Sequence, residues 1–144
     1  MGEQAPCWVC AVVARTTSAF VVVDAPDVLA LVAPLALAPG HTLVVPRRHV
    51  RDIYTLPEAL AGPVLATASR VAAAAKRAFA ADGITLRQNN DVAGGQEVFH
   101  FHLHVVPRFT GDAERFNAPP RLLSGSEQQQ IADRLRTALA ASAG

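Results

Sequence analysis

The sequence predicts an α+β fold. Three observations carry this. Short runs of branched aliphatic residues are separated by turn chemistry, one long stretch has apolar residues near helical spacing, and strands and helices do not alternate regularly. The 144 residues suit one domain whose core needs no disulfide staples.

Phe20-Val-Val-Val-Asp24 and Val28-Leu-Ala-Leu-Val32 read as a β-hairpin, with Asp24-Ala-Pro-Asp27 as its turn. Pro34 and the Pro39-Gly40 pair break the chain. A third strand follows from His41 to Val45, ended by Pro46. Thr55-Leu-Pro-Glu58 has the spacing of a capping box and opens a long helix through Phe79, stopped by Asp82-Gly83. Ile84 to Gln88 is a fourth strand and Phe99 to Phe109 a fifth. The polar, proline-containing segment Gly111 to Pro120 reads as a mobile connection. A last helix, Ser126 to Ala141, is capped by Ser126-Glu-Gln-Gln129.

Half of the residues (51%) are hydrophobic and 17% are charged, which is the balance of a soluble globular chain. A net charge of +1 without a basic, aromatic-studded stripe excludes an electrostatic footprint for polymeric nucleic acid. No stretch is long enough for a membrane span. Met1 to Cys10 lacks the regions of a signal peptide, and Pro6 stands where a myristoylation signal at Gly2 needs Ser or Thr. The expected compartment is the cytoplasm, where two cysteines are thiols or metal ligands rather than a disulfide.

Three of the five histidines lie in His100-Phe-His102-Leu-His104. On a strand they share one face, while Phe99, Phe101, Leu103 and Val105 share the other and suit packing on a helix. Imidazole serves as nucleophile, proton carrier or metal ligand near neutral pH. Strand geometry alone leaves metal binding and phosphate chemistry equally open, with a polar face turned to solvent as the lesser alternative. Cys7-x-x-Cys10 has half of a zinc-site spacing, and alone it also fits plain thiols or a redox pair, though no thioredoxin-like context surrounds it. Arg47, Arg48 and Arg51 read as a solvated connection, with guidance of an anionic ligand as the alternative.

The run His100-Phe-His102-Leu-His104-Val-Val106 resembles the signature of the histidine-triad (HIT) superfamily. In the same order, Cys7-Trp-Val-Cys10, Ala38-Pro-Gly-His-Thr-Leu-Val-Val-Pro46, His49, Gln88-Asn-Asn90 and Gly94-Gly-Gln-Glu-Val-Phe-His100 are similar to it, most closely to its bacterial, Hint-like branch. The resemblance implies a five-stranded antiparallel sheet with one long helix and a C-terminal helix, two such sheets being joined in a homodimer. It implies a HIT domain over residues 1–110, including the cysteine segment, and a C-terminal extension over 111–144.

The implied activity is that of a nucleotidyl hydrolase or transferase. It acts at the α-phosphate of a purine nucleotide derivative, such as a nucleoside phosphoramidate or a dinucleotide, through a covalent nucleotidyl-histidine. By resemblance His102 is the nucleophile, His104 contacts the phosphate, His100 completes the triad and His41 supports it. Asn89, Gly95, Gln96, Glu97 and Val98 match substrate-binding positions. Cys7, Cys10, His49 and His100 match the ligands of a structural zinc site, with no organic cofactor implied. One position departs from the family. Relatives hold the ribose hydroxyls with Asp or Asn where this chain has Ala33, inside the apolar run Leu31 to Leu37. That departure supports an alternative, a zinc-stabilised module that senses a nucleotide or contacts a protein with little turnover.

Overall fold

The computed structural model describes residues 6–142, so the expectations placed on a signal peptide and on Gly2 lie outside the described residues. The chain begins with α1 (Trp8–Val13) and continues through β1 (Val21–Asp24), β2 (Val28–Val32), β3 (Leu35–Ala36) and β4 (Thr42–Pro46). After α2 (Glu58–Ala78) come β5 (Gly83–Arg87), β6 (Leu103–Arg108), α3 (Ala113–Asn117), β7 (Arg121–Leu122) and α4 (Gly125–Ser142). Five strands form one sheet in the order β1-β2-β4-β6-β5, every neighbouring pair antiparallel. β3 and β7 make a separate two-stranded ribbon. Among the described residues no helix is long and apolar enough to cross a membrane.

The central strands β2 and β4 are buried at every residue. The two-residue period of a strand assigns their side chains to two layers. Val28, Ala30 and Val44 pack with Val64, Ala68 and Val71 of α2 on one face. Leu29, Leu31, Leu43 and Val45 pack with Val9 and Val12 of α1 on the other. Burial on both faces explains why these strands are continuously apolar rather than alternating. A third cluster joins Ala75 of α2 to Ala132 and Leu135 of α4, Val32 of β2 and Leu123. The C-terminal helix therefore completes the core.

Several local expectations change. Thr55 does not cap α2. It ends a 3₁₀ turn (Ile53–Thr55) whose cap is Asp52, the Asp52 carboxylate accepting from the Thr55 N–H and hydroxyl. α2 starts at Glu58 after Pro57, with no side-chain cap. It stops at Ala78, before Ala80 turns to positive φ, and Gly83 belongs to β5. The last helix is capped two residues earlier than expected. Ser124 Oγ accepts from the Glu127 N–H at 3.1 Å, and the Glu127 carboxylate accepts from the Ser124 N–H at 3.0 Å. Such a reciprocal pair satisfies two donors that would otherwise be orphaned at a helix start.

The connection expected over 111–120 contains α3. Asp112, held by Arg108 at 2.8 Å, precedes it, and its Phe116 ring lies under the Arg108 guanidinium. β6 begins at Leu103 rather than Phe99, because the Phe101 N–H turns aside to the Val50 carbonyl. Phe101 packs toward α2 as expected, but Phe99 is partly exposed beneath the Arg51 guanidinium.

Candidate active site

On the sheet face opposite α2, the register aligns Leu43 of β4, His104 of β6 and Arg87 of β5 in one row. Paired residues on antiparallel strands point to the same side. This row floors a cavity of about 400 Å³ that also takes in His41, His102, Asn89, Gly95, Glu97 and Val98. Its far wall is apolar, formed by Trp8, Val9, Ala33, Pro34, Leu35 and Leu37. Ala33 thus faces the cavity at the Leu43 end of the row.

Backbone partners fix the protonation pattern of the rings, because a carbonyl only accepts and an N–H only donates. The Leu37 N–H donates to His41 Nδ1 at 3.0 Å, so neutral His41 carries its proton on Nε2. That Nε2–H donates to His104 Nδ1 at 2.9 Å, leaving the His104 proton on Nε2 as a free donor. His102 Nδ1 donates to the His100 carbonyl at 2.8 Å, so in the neutral ring the lone pair sits on Nε2. His100 Nε2 donates to the Pro46 carbonyl at 2.8 Å, which frees its Nδ1 as an acceptor or ligand.

Burial pushes His41 down to about 3, helped by the charges of His104 and Arg87. His104 falls to about 4 by burial, with His102 and Arg87 adding to it. Both rings are neutral at pH 7. The folded state then binds fewer protons than the unfolded state below the ordinary histidine value of about 6.5. Stability from these two rings is complete above that value and is lost as pH falls toward their folded values, by at most about 1.4 kcal/mol per pH unit for each ring. A thermal midpoint that declines from pH 6.5 to pH 4, and declines less steeply in His41→Gln, is the expected result. A decline of equal slope in both proteins would assign the acid lability elsewhere.

Two glycines shape the site. Gly40 has φ +88°, and a Cβ there would come within 2.7 Å of the Phe79 ring, so glycine alone lets the chain turn into His41. Gly95, at φ +90°, ends a 3₁₀ turn (Val92–Gly94), and its carbonyl accepts from Asn89 Nδ2 at 3.3 Å.

Not every expected residue meets the cavity. Gln96 is buried outside the wall, its amide group engaged by the Asp91 N–H and by the Arg51 and Val98 carbonyls. It braces the loop from behind. His100 is fully buried behind the cavity and reaches His102 through its backbone carbonyl. Arg47 pairs with Asp24, Arg51 with Asp52, and neither borders the cavity. Sequence reading missed Arg87, Trp8 and Pro120, all on its wall. For Arg87 the available signal was its place on β5 beside the histidine strand.

The His100 ring faces a second cluster. Cys7, Cys10, His49 and His100 bring one ligand atom each to within 4.8 Å of the others. α1 places the two cysteines three residues apart on one side, as neighbours on a helix. The Cys7–His100, Cys10–His49 and Cys10–His100 S···N separations are 3.4, 3.3 and 3.6 Å. Tetrahedral zinc with ordinary Zn–S and Zn–N bonds sets such edges near about 3.6 Å. Two thiols, two imidazoles and a freed Nδ1 on His100 therefore fit this ion. Burial, with Cys7 alongside, pushes the Cys10 thiol up to about 11. Without a cation it keeps its proton at neutral pH.

The HIT domain family profile matches residues 14–111. An uncharacterised HIT-like protein of Mycobacterium tuberculosis is 41% identical over 108 residues, 74% of each chain. One from Saccharolobus solfataricus is 37% identical over 109 residues, 75% of this chain and 78% of its own. The crystal structure of a zinc-bound histidine triad family protein from Mycobacterium smegmatis superposes with a TM-score of 0.84 at 32% identity, covering 96% of this chain and 97% of the other.

Proposed function

Because the chain belongs to the HIT domain family, we propose that it is a nucleotide-binding hydrolase or transferase working at an α-phosphate through His102. The observation that carries this reading is the His102 ring, whose Nδ1 proton is committed to the His100 carbonyl. Its Nε2 lone pair is thereby held ready at the cavity. In the proposed reaction Nε2 attacks phosphorus, the bond to the leaving group breaks, and its electron pair departs with that group. Water then attacks the same phosphorus and releases one proton to solvent, while the N–P bond breaks and its electron pair returns to Nε2. His104 Nε2–H donates to a phosphate oxygen, held in that tautomer by His41. Asn89, Gly95, Glu97 and Val98, all on the cavity wall, are proposed to contact the phosphate or the leaving group.

Substrates of the proposed class are purine nucleoside phosphoramidates or dinucleotides. Cys7, Cys10, His49 and His100 would hold a structural zinc, as a zinc-bound relative makes chemically reasonable. The ion would tie α1 to the strand end and the triad segment. We further assign the HIT domain to residues 1–110, the extension to 111–144, and the working state to a cytoplasmic homodimer. The open edge of β5, with Leu86 47% exposed, is where two five-stranded sheets could join.

Ala33 favours the second reading, a sensing module with little turnover. It leaves the sugar wall without an acceptor, which forfeits about 1.5–3 kcal/mol of charge-assisted hydrogen bonding. Ala33→Asp is expected to tighten adenosine or guanosine monophosphate binding about tenfold, equivalent to about 1.4 kcal/mol. The 2′,3′-dideoxy nucleotide should gain little, since it has no hydroxyls to offer. Equal gains for both ligands would show that the new carboxylate acts on something other than ribose. Turnover of adenosine and guanosine phosphoramidates by the parent protein separates enzyme from sensor.

A further inference from the structure

Arg87 plays no part in the reaction described above, yet it closes one end of the cavity. We propose that Arg87 is a specificity-determining residue that binds an anionic leaving group, so that the preferred substrates are nucleotide phosphoanhydrides rather than phosphoramidates of neutral amines. The proposal rests on the nucleotidyl-transfer reading and deepens it.

The register supplies the direction. Leu43, His104 and Arg87 occupy successive strands of one face, spaced by about 4.8 Å per strand. The Leu43 end meets the apolar wall with Ala33, Trp8 and Leu37, which suits a base and sugar. His102 and His104 mark the phosphorus, their rings 4.9 Å apart. Arg87 stands on the other side of His104 from the apolar wall, and is the cation on the cavity lining within reach of a group beyond the phosphorus.

The Arg87 side chain has no hydrogen-bond partner among the described residues. Among the described residues no carboxylate pairs with it. Its Nε is buried without a hydrogen bond. The Phe116 ring of α3 holds the guanidinium from one side, at 5.3 Å. A guanidinium on a cavity wall without a carboxylate partner is a ready donor for a ligand anion. Arginine stays charged and does not surrender a proton, so it cannot assist an amine that must leave protonated. It can stabilise a group that leaves as an anion. On cleavage of an anhydride the bridging P–O bond breaks, its electron pair stays on the bridging oxygen, and the new negative charge develops beside the guanidinium.

Two measurements test this. The first compares kcat/KM for ADP and for adenosine 5′-phosphoramidate. The parent should prefer ADP, and the ADP-to-phosphoramidate ratio should fall at least tenfold in Arg87→Gln and recover partly in Arg87→Lys. The second is calorimetric binding of α,β-methylene-ADP, which resists attack, against AMP. The parent should bind the methylene analogue about tenfold more tightly, and Arg87→Gln should erase the difference. A preference for the phosphoramidate in the parent, or a ratio or binding difference that survives in Arg87→Gln, overturns the proposal. Absence of turnover with either substrate would sink the nucleotidyl-transfer reading alone, because the binding contrast still decides the role of Arg87.

Discussion

Replacing His102 with alanine is expected to lower kcat by about 10⁴-fold or more while the protein stays folded, since loss of a nucleophile removes the covalent route altogether. Sequence reading places this ring on the strand face turned away from the helix. In the fold it is only 9% exposed, against the cavity rather than in the core clusters. Truncation therefore opens space into a cavity already present, and about 1–2 kcal/mol of stability is the expected cost. The His100 carbonyl loses its donor but becomes reachable by cavity water. Rapid quenching of the parent should trap an acid-labile nucleotidyl adduct, located on His102 by mass spectrometry. Parent-like turnover in the variant, or an adduct on another residue, would remove His102 from its assigned role.

The second large effect concerns the metal. Protein purified without added metal should carry one zinc per chain, and Cys7→Ser should lose most of it. The four donors come from three separate stretches of chain, at Cys7 and Cys10, His49, and His100. An ion that binds only the folded arrangement adds about 4 kcal/mol at a thousandfold excess over its Kd. For a chain of this size that corresponds to a thermal midpoint about 10 °C higher than in chelated protein. The Cys10 proton must leave when metal binds, so affinity should fall at lower pH. A freshly prepared, reduced sample without metal, whose midpoint ignores chelator, would count decisively against the site.

The sheet was legible because its strands are apolar runs bounded by Pro, Gly and Asp, and those signals are local. α2 was legible because Val64, Val71 and Ala75 repeat near helical spacing and do face the core. Its cap was misread because Asp52, with no place in the capping pattern, outcompetes Glu58 for Thr55. α1 escaped notice because six residues give too short a period, and its helicity is supported by packing against β2 and β4.

At the site, the sequence by itself determined the chemistry available: three alternating imidazoles, an upstream histidine and a pair of cysteines in a fixed order. It also determined that the wall at Ala33 is apolar. Only the tertiary structure decided which atoms of those rings are free. The His41–His104 contact joins residues 63 apart in the chain, and the Cys10–His100 contact joins residues 90 apart. The tautomers of His41 and His100 depend on the Leu37 N–H and the Pro46 carbonyl, backbone groups whose availability is invisible in side-chain identity. Arg87 likewise gained its position from the pairing of β5 with β6, since register sets which residues share a face. Periodicity is a local property of a chain, whereas a proton's place on a ring is set by whichever distant group the fold puts beside it.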